Sequence, residues 1–114
     1  MSYYLYDYRA VAHFDNKMKK FKSSKFRFNN IIEAINTLQN NPYYNSERLD
    51  GEYKGKRKHE FRGNYRLIFV ICEECRKLKH TRYNGCSNCG ENKDNTLVLF
   101  DVGPRENFYN KARK

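Results

Sequence analysis

The four cysteines of the chain fall in two identical pairs, Cys72-x-x-Cys75 and Cys86-x-x-Cys89, with ten residues between them. Two thiolates at this spacing can grip one side of a tetrahedral ion, and the spacer is long enough for a hairpin that brings the pairs together. Gly85 and Gly90 flank the second pair, where tight turns around sulfur need permissive backbone. The pattern points to one zinc ion held by Cys72, Cys75, Cys86 and Cys89. Four thiolates leave no open position for water, so such a site is structural, not hydrolytic. An iron–sulfur cluster is the rival metal reading; His80 could replace a cysteine, but four thiolates already complete a structural site, so it reads as a bystander. Two disulfides would need an oxidising compartment, and a redox dithiol needs only one pair.

Lys and Arg number 23 against 13 Asp and Glu, a formal net charge of +10. That excess suits a polyanion, nucleic acid first and an acidic protein second. The sequence has ten Tyr, eight Phe and no Trp; aromatics beside basic residues suit base stacking, while others build the core. Between the cysteine pairs lie Arg76, Lys77, Lys79, Arg82 and Tyr83. They read equally as a phosphate-contacting loop or as a solvated charged one. Met1–Ala12 is too polar for a signal peptide, and the longest apolar run, Leu67–Cys72, is too short to span a bilayer. A cytoplasmic protein with no membrane contact is expected.

The elements that must position these groups are legible from periodicity. The chain of 114 residues has no repeat or composition break, so one domain is expected over 1–114. Tyr3–Val11 reads as a first strand. Phe14, Met18 and Phe21 recur at helical spacing. Ser23 or Ser24 can cap a longer helix whose apolar face is Phe28, Ile31, Ile32, Ile35 and Leu38. Asn40-Asn41-Pro42 ends it, since the residue before a proline is pushed out of helical geometry. Residues 41–55 read as a polar loop. Arg57–Arg62 is a short charged strand, and Gly63-Asn64 turns into the strand Tyr65–Ile71, apolar enough to be covered on both faces. Thr96–Val102 has the same character and should pair with it. Pro104 suits a helix's first turn, and Phe108 and Ala112 give a final helix its apolar face. The expected fold is α+β, in the order β-α-α-β-β-β-α, with the two early helices on one face of a small sheet. The zinc hairpin, at about residues 72–95, is an insertion between the last two strands.

With the insertion set aside, the segments GNYRLIF (63–69) and VGPRENFY (102–109) stand out. They resemble the RelE/ParE superfamily of bacterial and archaeal toxins, which often shows a basic strand, a turn, a Tyr-Arg-led apolar strand and a closing Gly-x-Arg-x-x-x-Tyr motif. The order of elements is similar as well. The resemblance implies a toxin of a toxin–antitoxin system, restrained by a cognate antitoxin, that cleaves mRNA on the ribosome. It implies metal-independent chemistry, in which the RNA's own 2′-hydroxyl attacks the adjacent phosphate. That reaction needs a base, cations around the phosphorane and a proton for the leaving oxygen. By the family pattern Arg66 and Arg105 hold phosphate oxygens, and Tyr109 stacks on a base or moves a proton.

The base depends on strand register, because side chains alternate between faces. If Phe61 points into the core, Lys58, Glu60 and Arg62 face the substrate; a slip by one puts Arg57 and His59 there. Glu60 is the favoured base, with Lys58 and Arg62 as cationic neighbours that lower its pKa. His59, with an ordinary pKa of about 6.5, is its rival. Lys54, Lys56, Arg57, Lys58 and Arg62 are the expected RNA contacts. The alternative is a non-catalytic protein of the same fold, either a gyrase inhibitor acting by contact or a zinc-containing nucleic-acid adaptor.

Overall fold

The structure, a computed structural model, describes residues 5–49, 51–61, 64–78 and 93–104. Strand β1 (Asp7–Ala10) leads into helix α1 (Ala12–Phe21) and helix α2 (Lys25–Asn40). Strand β2 (Glu47–Arg48) and a 3-10 turn (Gly51–Tyr53) precede strands β3 (Arg57–Phe61) and β4 (Tyr65–Ile71). A short helix α3 (Cys72–Lys77) follows directly, and β5 (Thr96–Pro104) completes one sheet ordered β1-β5-β4-β3-β2. The β1–β5 pair is parallel and the others are antiparallel.

Ser24 caps α2, its hydroxyl accepting from the Arg27 N–H, whereas Ser23 bonds back to Lys20. The helix closes where the Asn41 N–H reaches the Thr37 carbonyl, one residue before Pro42. Its 3.6-residue period lines up Ile31, Ile35 and Leu38. These meet Phe14 of α1 and the sheet residues Leu67, Phe69, Ile71, Leu97, Leu99 and Val102 in one buried core. Both helices therefore pack on one sheet face, as expected. Leu38 is wholly buried there, and Leu38→Ala would cost about 2–5 kcal/mol. Asp101 of β5 lies 2.9 Å from Lys17 Nζ and 3.2 Å from His13 Nε2, tying α1 to the sheet.

Four expectations need correction. The first strand is shorter than Tyr3–Val11. The loop over 41–55 contains β2 and the 3-10 turn; a two-residue strand carries no periodicity and exists only because Glu47 and Arg48 pair with Lys58 and Arg57. The last strand runs past Val102 to Pro104, which pairs with Tyr65 instead of opening a helix. Strand β1 pairs only with Thr96–Leu99, so among the described residues no strand pairs with that edge of β5 at Pro104, and a missing N–H is tolerated there. Finally, the first cysteine pair lies on a helix, not in the arm of a hairpin. The expected C-terminal helix and the remainder of the zinc hairpin lie outside the described residues.

Arg66 to Ile71 of β4 are all buried, so this strand is covered on both faces. Away from the helices, Val70, Val98 and Cys72 form a second, smaller cluster against which Phe100 packs. The register of β4 and β5 shifts beside Phe100. Ile68 pairs with Asp101 and Phe69 with Leu99, so Phe100 is the extra residue between them.

Candidate nucleic-acid interface

The register of β3 decides which of its side chains share a face. Phe61 packs against the main core, and its ring stacks between His59 and Tyr65, with centroids 5.9 and 5.8 Å away. By strand alternation Arg57, His59 and Phe61 face the helices, while Lys58 and Glu60 face the other way. Glu60 pairs across the ladder with Arg66 and Lys58 with Ile68, so Arg66 joins that second face. The first of the two registers considered is the one the chain adopts.

There the Glu60 carboxylate accepts from Lys58 Nζ at 3.0 Å and from Arg66 Nη2 at 2.9 Å, both on the same oxygen. The Lys58 hydrogen bond leads in holding this carboxyl below its ordinary value; partial burial opposes it, and the Arg66 bond adds to the lowering. Glu60 is thus ionised at neutral pH. Lys58 also lies 3.6 Å from Glu47. Arg66 is buried, and its neighbour on β5 is Gly103, which places no side chain beside it.

Strand β2 pairs with only the first two residues of β3, and among the described residues no strand pairs with the outer edge of β3 from His59 onward. A cleft of about 370 Å³ opens at that edge, lined by Tyr44, Asn45, Ser46, Glu47, Lys58, His59 and Glu60. His59 and Glu60 reach it from opposite faces. The His59 Nδ1 lies 2.7 Å from the Asn45 carbonyl. Because a carbonyl only accepts, the proton of a neutral imidazole belongs on Nδ1, leaving Nε2 as the acceptor.

Arg57 has a different part from the RNA contact expected of it. Its guanidinium donates through Nε and Nη2 to the two oxygens of Glu74, at 2.9 and 2.7 Å, and through Nη1 to Ser46. It also lies over the Tyr43 ring, 5.1 Å from the centroid. Both Arg57 and Glu74 are buried. Burial pushes the Glu74 carboxyl up, but Arg57 and Arg48 outweigh it and hold it below its ordinary value. Burial, with Glu73 next, pushes the nearby Tyr43 phenol up to about 12. Arg57 is therefore a structural cation, withdrawn from any polyanion.

Lys54 is exposed in the turn before β3, and Lys56 is half-buried; Gly55 between them has a φ of +90°, a conformation glycine adopts without strain. Cys72 and Cys75 are buried thiols one helical turn apart on α3. Their connection to β5 is pinned where it leaves and returns, since the Glu73 N–H donates to the Asp94 carbonyl and Arg76 pairs with the Asp94 carboxylate. Arg62, Arg105, Tyr109, Cys86 and Cys89 lie outside the described residues, as do His80, Lys79, Arg82 and Tyr83. Glu74 was not visible as a functional or structural partner in the sequence. Its only signal is a carboxylate midway between two buried cysteines.

Neither a family model nor a curated protein matches this chain. Solved structures do. The toxin–antitoxin complex RelBE2 from Mycobacterium tuberculosis contains a chain that superposes with a TM-score of 0.59 at 20% identity, over 88% of this chain and 98% of that one. YafQ from E. coli gives 0.59 at 16% identity, over 91% and 98%. The YoeB/ParE toxin from Agrobacterium tumefaciens gives 0.58 at 10% identity, over 84% and 94%. The chain has the fold of RelE-like toxins, as its Tyr-Arg and Gly-x-Arg-x-x-x-Tyr segments led us to expect. No helix among the described residues is long and apolar enough to cross a membrane.

Proposed function

We propose that this chain is the toxin of a toxin–antitoxin pair, a cytoplasmic endoribonuclease that cleaves mRNA on the ribosome and is restrained by a cognate antitoxin protein. The observation that carries the reading is the Glu60 carboxylate held between Lys58 and Arg66. An ionised carboxylate can take the proton of a ribose 2′-hydroxyl as that oxygen bonds to the adjacent phosphorus. Lys58 and Arg66 are then placed to meet the charge that develops on the phosphorane oxygens. The P–O5′ bond breaks, leaving a 2′,3′-cyclic phosphate and a 5′-oxygen that needs a proton. Arg105 and Tyr109, which follow β5 in the sequence, are the proposed further phosphate contact and proton or stacking group. Lys54 and Lys56 are proposed to extend the contact along the RNA, and Arg62, next after Phe61, to join them.

The test is primer-extension mapping of cleaved ends on translated mRNA. Glu60→Gln and His59→Gln, run side by side, should separate the two candidate bases: loss in the first alone assigns Glu60, loss in the second alone assigns His59. Full cleavage by both Arg66→Ala and Arg105→Ala would sink the site. One observation favours a second reading, a non-catalytic protein that binds its target by contact. Glu60 already carries two cationic partners, which weaken it as a base. RNA or gyrase binding without cut ends from folded wild-type protein would select it.

We further propose one structural zinc, held by Cys72, Cys75, Cys86 and Cys89. It is supported by the shared face of the first two thiols on α3 and by the pinned ends of the connection that carries the other two. Elemental analysis should find about one zinc per chain. No metal together with intact disulfides by mass spectrometry would overturn it. Cys86→Ser should lower stability, since metal binding is coupled to folding.

A further inference from the structure

Phe100 of β5 places one aromatic ring on the sheet face that carries Lys58, Glu60 and Arg66, the face it shares with Val98 by strand alternation. Phe100 rests on Val70 and Val98 on one side, and Lys56 Nζ lies over its ring, 4.9 Å from the centroid. The bulge leaves Phe100 between the Ile68 and Phe69 rows with no cross-strand partner of its own. Phe100 stands near the Ile68–Asp101 row, and Arg66 faces Gly103 two rows further on. At the rise of a strand that separation is about 7 Å, on the order of one nucleotide. Lys56 and Lys58, two residues apart in the sequence, run in the same direction.

We propose that Phe100 and Lys56 form a subsite for the nucleotide next to the cleaved phosphate, its base stacking on Phe100 and its phosphate held by Lys56. This rests on the RNA reading above and adds a specific contact to it. A π-face suits any base, so the subsite grips single-stranded RNA without reading its sequence. Before RNA arrives Lys56 covers the open face of the ring, and it swings from there to the phosphate as the base stacks.

The chain has no tryptophan, so Phe100→Trp installs a lone tryptophan, excitable apart from the tyrosines, at the proposed platform. The full chain, purified with any metal it holds, is titrated with a short unstructured RNA whose ribose at the expected cleavage point is 2′-deoxy. Saturable quenching of the tryptophan is expected. Phe100→Leu should weaken RNA binding roughly tenfold, with the salt dependence unchanged because no charge is lost. Lys56→Ala should lower the slope of log affinity against log salt by about 0.7. RNA binding without quenching, at wild-type affinity in Phe100→Leu, would overturn the subsite and leave the RNA reading standing. Quenching by RNA in a protein that never cleaves would support the subsite and overturn the nuclease.

Discussion

Two arginine–glutamate pairs sit at opposite ends of the β3–β4 hairpin and on opposite faces of it. Arg57 and Glu74 meet on the helix side, both buried, through two parallel hydrogen bonds, with Ser46 and the Tyr43 ring completing the surroundings of the arginine. Arg66 and Glu60 meet on the far side through one oxygen, which Lys58 also uses, and the glutamate side chain is 40% exposed. The chemistry is the same and the geometry differs. A fork that spends both of its arms on one carboxylate offers nothing to a ligand. The second pair instead meets through one shared oxygen of a 40% exposed carboxylate, beside a glycine, so its carboxylate stays open to solvent. Burial and charge alone therefore do not identify a site; how far the pair is closed off does.

The largest expected effect breaks the closed pair. Glu74→Ala would leave a buried, uncompensated guanidinium and should cost about 3–5 kcal/mol in urea unfolding, much of the 5–15 kcal/mol typical of a domain. Replacing both partners together, Arg57→Met with Glu74→Leu, should recover most of that loss; no recovery would mean that Glu74 matters for another reason. Next comes the open pair. Arg66→Ala should slow mRNA cleavage about a hundred- to a thousandfold, or about 2.7–4 kcal/mol, with a smaller loss of stability than Glu74→Ala. A variant that unfolds yet cleaves at the normal rate when folded would reverse the two roles.

Acid should separate the pairs more gently. Both carboxyls are held below their ordinary value of 4.5, so each contributes stability fully present above that value and lost as pH falls through the lowered one. Stability measured from pH 6 downward should fall less steeply in Glu74→Gln than in wild type, and Glu60→Gln should change the slope less, because solvent screens its half-exposed carboxylate. The smallest effect belongs to the rim. Glu47 is 78% exposed at 3.6 Å from Lys58, and Glu47→Ala should shift stability by less than about 0.5 kcal/mol.

The strongly periodic elements were legible in the sequence because one face of each is apolar. The α2 stripe from Phe28 to Leu38 and the runs Tyr65–Ile71 and Thr96–Val102 announced themselves in that way. The shared face of Lys58, Glu60 and Arg66 followed once Phe61 was taken as a core residue. What escaped was long-range or too short to have a period. Strand β2 is two residues held only by its partner. Arg57 reads as one more cation in a basic stretch until Glu74, seventeen positions away, closes on it. The bulge at Phe100 is a mismatch between two strands, and neither strand shows it alone.

The parallel pairing of β1 with β5 joins residues about ninety positions apart, Asp7 with Thr96. A nascent chain that has emerged only through β4 can form its helices and the β3–β4 hairpin. It still lacks the strand that lies between β1 and β4 and places Gly103 beside Arg66. Closing so long a loop costs chain entropy before any contact repays it, which puts such topologies among the slower-folding small domains. The sheet is thus finished late, and the face carrying Glu60 and Arg66 is assembled with its last strand. A chain released before its last strand therefore carries only part of the face on which Glu60 and Arg66 meet.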